Sequence, residues 1–421
     1  MSWISRARWI SQPMRRKIAE AWPPGNVATA SSSPFSQDDF PEIYEKYFKD
    51  IVESGAITMD PSGWRDTDAG LKIVPTTTSA ASFVAARYHV DHGNNLGQSK
   101  TGIGSLLECW DRRKYRHDSF SIFSSVTTAS LGTLFALKNM GVTHIVADTP
   151  LYFGSIYQMN LLGFNVTLLP TYADSGYLSG IQNHVKTARS PTVFWISQPK
   201  FGLGIDQNLS IVEQLIDLIP QGCWLVIDEA MEMRFPSWLS QSERFVADAP
   251  VIRLRGFFKP LGLNGFRIAA ALHPPALRSH YESLQWAVTG GLDGFSLAVL
   301  NEFAQSPAQF KGMLDHCREK ILTRREIIES FLSGSSLKLN PIVNGYIGSM
   351  RIPWGTRPEK HVQMRDSLLS FCQAMKMPVM LGASMLFAFE EGTEIVRLNF
   401  LSEPHHIENF AKVMAERYNF K

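Results

Sequence analysis

In "RLRGFFKPLGLNGFRIAAAL", residues 253–272, one lysine, Lys259, stands between Phe257–Phe258 and Pro260 in a stretch that otherwise reads as two apolar strands. Burial among such neighbours disfavours the charged ammonium, and a desolvated amine is the form that attacks a carbonyl to make a Schiff base. Taken alone, the segment is read more simply as a snorkelling lysine at a strand end. Two other polar residues also close apolar runs: Gln198 follows "TVFWIS" and Asp228 follows "CWLVI".

Those runs belong to a series. "HIVADTP" (144–150), "NVTLLP" (165–170), "TVFWISQP" (192–199), "CWLVIDEA" (223–230), "VIRLRGFF" (251–258) and "FRIAAAL" (266–272) are short and β-rich, and most are separated by segments of helical composition. This alternation predicts an α/β fold with a mostly parallel sheet covered on both faces, and ligands in such sheets sit beyond the carboxyl ends of the strands. Gln198, Asp228 and Lys259 stand at those ends. Past residue 296 long helices are expected in "SLAVLNEFAQ" and "FKGMLDHCREKILTRREIIESFLSG", stopping at Gly334. "NGYIGSMRIP", "PVMLGASM" and "EIVRLNF" then predict strands of a smaller α+β domain, closed by a helix over 404–418.

At 421 residues the chain suits two domains. Forty-one basic against thirty-nine acidic residues argue against a general nucleic-acid binder. No apolar run approaches membrane-spanning length, so no membrane partner is expected. The four cysteines are scattered without C-x-x-C spacing and read as free thiols in a reducing, cytoplasmic setting. Residues 1–38 read as a basic arm, with a transit peptide as the alternative, and a Pro/Ser-rich linker; 39–94 are expected in the small domain, 95–315 in the large one and 316–421 in the small one again.

Asp228 in "VIDEAM", Lys259 and Arg267 in "KPLGLNGFR", and Arg397 in "EIVRLNF" together resemble the core signature of class I/II pyridoxal-phosphate aminotransferases, of the aspartate aminotransferase fold (fold type I). The resemblance extends over about 85–402 and implies a large domain with a seven-stranded sheet between helices. It implies pyridoxal 5'-phosphate as cofactor, an amino acid as substrate and a homodimer with shared sites. Lys259 would carry the Schiff base and move the substrate's Cα proton, and Asp228 would keep the pyridine nitrogen protonated. Tyr152 in "DTPLYFGS" would stack on the ring. Thr127 and Thr128 in "VTTASLGTLFAL" would meet the phosphate at a helix N-terminus, with Arg267 and, across the subunit interface, Tyr88. Arg397 would hold the substrate carboxylate in a bidentate fork.

Three positions depart from the family pattern. Met231 stands where the family has a tyrosine, Gln198 where it has the asparagine of "N-P-T-G" (here "QPKF"), and Gly256 where it has a phosphate-binding serine. Transamination is the first expectation for the reaction. The three departures motivate the alternative, elimination, replacement, cyclisation or oxidation of an amino acid, and a non-catalytic descendant of the fold is the third. Competing motifs are weak: "GIG" and "GLG" lack a third glycine, "HVDH" and "HH" lack a further metal ligand, and no G-x-S-x-G is present.

Overall fold

The computed structural model describes residues 31–32, 66, 91–149, 151–170, 180–185, 191–245, 248–289, 292–340, 344–353, 379–381 and 393–418. Most of the linker, the amino-terminal arm and most of 39–94, expected in the small domain, lie outside them.

The large sheet is assembled from β1 (Ser31–Ser32), β2 (Phe120–Phe123), β3 (His144–Thr149), β4 (Asn165–Pro170), β5 (Thr192–Ser197), β6 (Trp224–Glu229), β7 (Val251–Gly256) and β8 (Ala269–Leu272), in the order β1-β4-β3-β5-β6-β7-β8-β2. Seven strands match the expected sheet, and the two-residue β1, from within the Pro/Ser-rich linker, adds an antiparallel edge on β4. β3 to β7 run parallel, and β8 is antiparallel to both β7 and β2. Every residue of β5 and of β7 is buried, as expected for strands covered on both faces. The four-residue β2 is too short to stand out in the sequence.

Around it lie α1 (Asp91–Asp111), α2 (Val126–Asn139), α3 (Phe153–Leu161), α4 (Leu209–Leu218), α5 (Arg278–Thr289), α6 (Gly294–Gln305) and α7 (Pro307–Leu332). The boundary read at 315 falls inside α7, which continues for 26 residues and is followed by Gly334 at φ +88°. A second, antiparallel sheet has the order β11-β12-β10-β9, from β9 (Lys338–Leu339), β10 (Ile347–Pro353), β11 (Val379–Leu381) and β12 (Thr393–Asn399), and α8 (Pro404–Arg417) packs on α7.

Register aligns the strand ends that matter. Ser197 of β5 pairs with Asp228 of β6, and Glu229 of β6 pairs with Arg255 of β7. Because strand side chains alternate, Asp228 and Glu229 leave β6 on opposite faces. On the Glu229 side lies a buried ion cluster. Arg253 donates to Glu229 Oε1 (2.8 Å) and Oε2 (3.0 Å) and to Asp111 Oδ2 (2.9 Å), while Arg255 Nε donates to Glu229 Oε2 (2.8 Å). Arg255 also reaches Asp111 (3.2 Å) and lies over the Trp110 ring at 4.5 Å. Asp111, held by both guanidinia, is pulled far below the usual carboxylate range despite its burial.

Candidate active site

β7 ends at Gly256, and the chain passes through buried Phe257 and Phe258 into a single 3₁₀ turn, Lys259–Leu261. Gly262, at φ +71°, closes that turn in the left-handed region that favours glycine. Lys259 is thus half-buried at the carboxyl end of the sheet, with Nζ 5.6 Å from the centroid of the Tyr152 ring. Tyr152 precedes α3, and its ring lies so close to Gly154 that a Cβ there would sit 2.6 Å from it. On the adjacent strand Asp228 accepts from Ala230 N–H (3.0 Å). Burial pushes its carboxyl upward, and the attraction of Lys259 opposes that push.

α2 begins beside them. Ser125 and Thr128 form a reciprocal capping box, with Thr128 N–H donating to Ser125 Oγ (3.1 Å) and Ser125 N–H donating to Thr128 Oγ1 (2.9 Å). The Thr128 hydroxyl is therefore engaged in the cap, while Thr127 is exposed on the cleft. Gly256 marks a close crossing of this helix start with two strands. A Cβ there would stand 3.0 Å from Ala230 O and 3.3 Å from Val126 Cγ2, so the serine expected from the family pattern has little room.

At the end of β5, Gln198 is fully buried. Its Nε2 donates to Asp206 Oδ1 (2.6 Å) and its Oε1 accepts from Gln207 N–H (2.8 Å). Gln207 Nε2 donates in turn to Asp148 Oδ2 (2.9 Å), which also receives Ser197 N–H (3.0 Å). Burial raises the Asp148 carboxyl to about 8, against the pull of those donors and of Lys200, so it carries a proton at neutral pH. Asp206 also pairs with Arg234 (2.8 Å) and accepts from Asn344 Nδ2 (3.2 Å).

Arg397 arrives from the other sheet. It lies on β12 opposite Ser349 of β10 and Met380 of β11, is buried, and holds its guanidinium carbon 5.1 Å from the centroid of the Phe201 ring.

Lys259, Asp228, Tyr152, Thr127, Gln198 and Arg397 line one cleft of about 670 Å³, part of it open to solvent, and Met231 lines it too. Thr128 and Arg267 are not on its wall; Arg267 is exposed, with its backbone N–H on Ser296 Oγ (3.1 Å). Tyr88 lies outside the described residues. Sequence reading missed Lys200, Phe201 and Asn344, which share the wall, and Asp148 and Gln207 behind it. "QPKF" offered the only signal, a second lysine and an aromatic residue inside a stretch already singled out.

The cleft stands at the carboxyl ends of a doubly covered parallel sheet and joins an amine, a carboxylate, an aromatic ring, a helix N-terminus and an arginine. Residues 105–344 match the family described as aminotransferase class I and II, and the chain belongs to that family. Its members use pyridoxal phosphate. Over 175 residues, 41% of this chain and 47% of the relative, the sequence is 26% identical to the histidinol-phosphate aminotransferase of Deinococcus radiodurans, so the match spans about half the length of that relative. The fold is similar to that of an aspartate aminotransferase from Thermotoga maritima (TM-score 0.66, 14% identity, 96% of this chain and 100% of that one). It is likewise similar to an aromatic aminotransferase from Pyrococcus horikoshii (TM-score 0.66, 16% identity, 85% and 93%). At such identities the likeness speaks for the fold.

The donor set suits that cofactor. Lys259 offers an amine for an aldehyde, Asp228 an anion for a ring nitrogen, Tyr152 a face for the ring, and the first turn of α2 amide donors for a phosphate. No helix among the described residues is long and apolar enough to cross a membrane.

Proposed function

We propose that this chain is a pyridoxal-phosphate enzyme acting at the α-carbon of an amino acid, and that its reaction is transamination. The observation that carries the reading is the convergence of Lys259 from β7, Asp228 from β6 and Arg397 from β12 on one cleft. Bound there, pyridoxal phosphate supplies the electron sink for charge developing at the substrate α-carbon. Lys259 would hold the cofactor through its amine and would be the group that moves the α-proton. Asp228 would keep a proton on the pyridine nitrogen, and that charge would offset the cost of burying the carboxylate. Tyr152 fixes the ring plane, and Gln198, clamped by Asp206 and Gln207, forms the wall beside it. Arg397 grips the substrate carboxylate through two parallel N–H donors and so sets which α-bond faces Lys259. Thr127 and the α2 amides take the phosphate; Thr128, Arg267 and Tyr88 are assigned to it by the family resemblance, Tyr88 across a homodimer interface.

A small and a large domain divided near 95 and 315 go with this reading, as does a cytoplasmic setting. Cys109, Cys223 and Cys317, free thiols among the described residues, support a reducing compartment.

The test is the absorbance of the protein with added pyridoxal phosphate during titration with single amino acids. Transamination predicts that a long-wavelength band gives way to a shorter-wavelength one and returns on adding a keto acid. An amino acid that changes the band but yields a product other than its keto acid favours the second reading, elimination, replacement, cyclisation or oxidation. Met231 motivates that reading, because it puts a thioether in the cleft where the family pattern has a tyrosine hydroxyl. No response to any amino acid contradicts both.

A further inference from the structure

We propose that Phe201 is the positioning residue for Arg397, the ring against which the guanidinium is held in the cleft. The proposal rests on the reading above, in which Arg397 receives a substrate carboxylate, and it adds a residue to which the family pattern gives no such role. Aligned on "N-P-T-G", Phe201 occupies the glycine's place, so the ring is a feature of this chain.

The Arg397 guanidinium carbon stands 5.1 Å from the Phe201 centroid, within the range of a cation–π contact. The Phe201 ring also lies near Tyr152, with ring centroids 6.1 Å apart and planes tilted by 55°, and Tyr152 in turn faces Lys259 Nζ at 5.6 Å. A continuous series of cation, ring, ring and cation therefore crosses the cleft from β7 to β12, and Phe201 is the member that joins the two sheets.

A ring positions a neighbour only if it is itself held, and the loop beneath Phe201 is fixed at several points. Lys200 N–H donates to Ile205 O (2.7 Å), and Leu203 N–H (3.1 Å) and Gly204 N–H (3.3 Å) donate to Lys200 O. Asn344 N–H reaches Gly204 O (3.2 Å) and Ser349 Oγ reaches Leu203 O (3.4 Å). Gly204 adopts φ +70°, and a Cβ there would lie 2.1 Å from Ile347 O, so the loop is pressed directly on β10. β10 is also the strand that pairs Ser349 with Arg397. The ring and the guanidinium thus share one rigid support.

The physical gain is preorganisation. A free arginine side chain has rotamer entropy to lose, and a weakly hydrated guanidinium laid on an aromatic face has lost much of it before a carboxylate arrives.

The test is calorimetric titration of 3-phenylpropionate, a carboxylate without an amine, into protein loaded with pyridoxal phosphate. Arg397→Ala should abolish binding. Phe201→Ala should weaken it roughly tenfold, the scale of a desolvated cation–π contact. Phe201→Tyr, which keeps the face, should stay within about twofold of wild type by the same argument, while Phe201→Leu, which keeps bulk without a π-face, should behave as Phe201→Ala. Far-ultraviolet circular dichroism identifies any variant that has lost its fold, and the Tyr and Leu pair decides between ring and bulk in that case. A wild type that does not bind, a Phe201→Ala curve superimposable on wild type, or Phe201→Leu binding as wild type each overturns the proposal. The titration needs no bond to Lys259, so failure of the transamination reading shows separately, as an absorbance band that no amino acid changes.

Discussion

Asp228 and Glu229 are consecutive residues of one strand, and strand alternation places them in two different electrostatic settings. Glu229 lies fully buried between Arg253 and Arg255, with Asp111 completing the cluster and Tyr115 and Ser237 donating to Asp111. Each charge there meets an opposite charge at hydrogen-bond distance, and Asp111 stays ionised in spite of its burial. At the carboxyl ends of β6 and β3 burial prevails: the carboxyl of Asp228 is pushed up against the pull of Lys259, and that of Asp148 is raised to about 8. Buried charges satisfied by one another can hold structure. Buried carboxyls left in conflict with their surroundings mark the place where a ligand completes the electrostatics.

Breaking the satisfied cluster should produce the largest effect on stability. Glu229→Gln leaves two buried guanidinia facing one carboxylate and should cost about 3–5 kcal/mol in urea unfolding. Next comes the buried carboxyl at the end of β3, where the effect depends on pH. Asp148 is protonated in the folded protein up to about pH 8, whereas the unfolded chain releases the same proton near pH 4. The folded state thus binds the extra proton between these limits, and this residue's contribution to stability falls as pH rises. Asp148→Asn should remove a slope of about 1.4 kcal/mol per pH unit, or about 3 kcal/mol between pH 5 and pH 7, read as a flatter dependence of the urea midpoint on pH. An equal slope in the variant would show that Asp148 is ionised when folded. The smallest effect belongs to a pair outside both clusters. Arg278 and Glu282 meet at 2.6 Å on the exposed face of α5, and Arg278→Ala should change unfolding by less than about 0.5 kcal/mol.

The contrast between the faces also explains what the sequence could reveal. β5, β6 and β7 were legible as dense apolar runs, and Lys259 and Asp228 stood out because each interrupts such a run at its end. Arg397 was legible through the motif around it and lies in the central part of the second sheet. The partners of Arg253 and Arg255 were not legible, since they depend on the parallel register that brings Glu229 beside Arg255 and on where α1 ends. Phe201 escaped because its neighbours come from α3's start and from β12, nearly two hundred residues further on. Gln198 was found, but the direction of its amide is fixed by Asp206 and Gln207, contacts made by a loop turning back on itself. Arg267 followed from the family resemblance, and in the single chain its side chain is exposed away from the cleft wall.

Lys200 and Lys259 both line the cleft, and the central claim is that only the second holds the cofactor. The most direct measurement is borohydride reduction of the protein with pyridoxal phosphate, followed by peptide mapping by mass spectrometry. The account predicts a pyridoxyl mass on the peptide containing Lys259, and its loss in Lys259→Ala. A label on Lys200 in the wild-type protein, or no label at all, would contradict it.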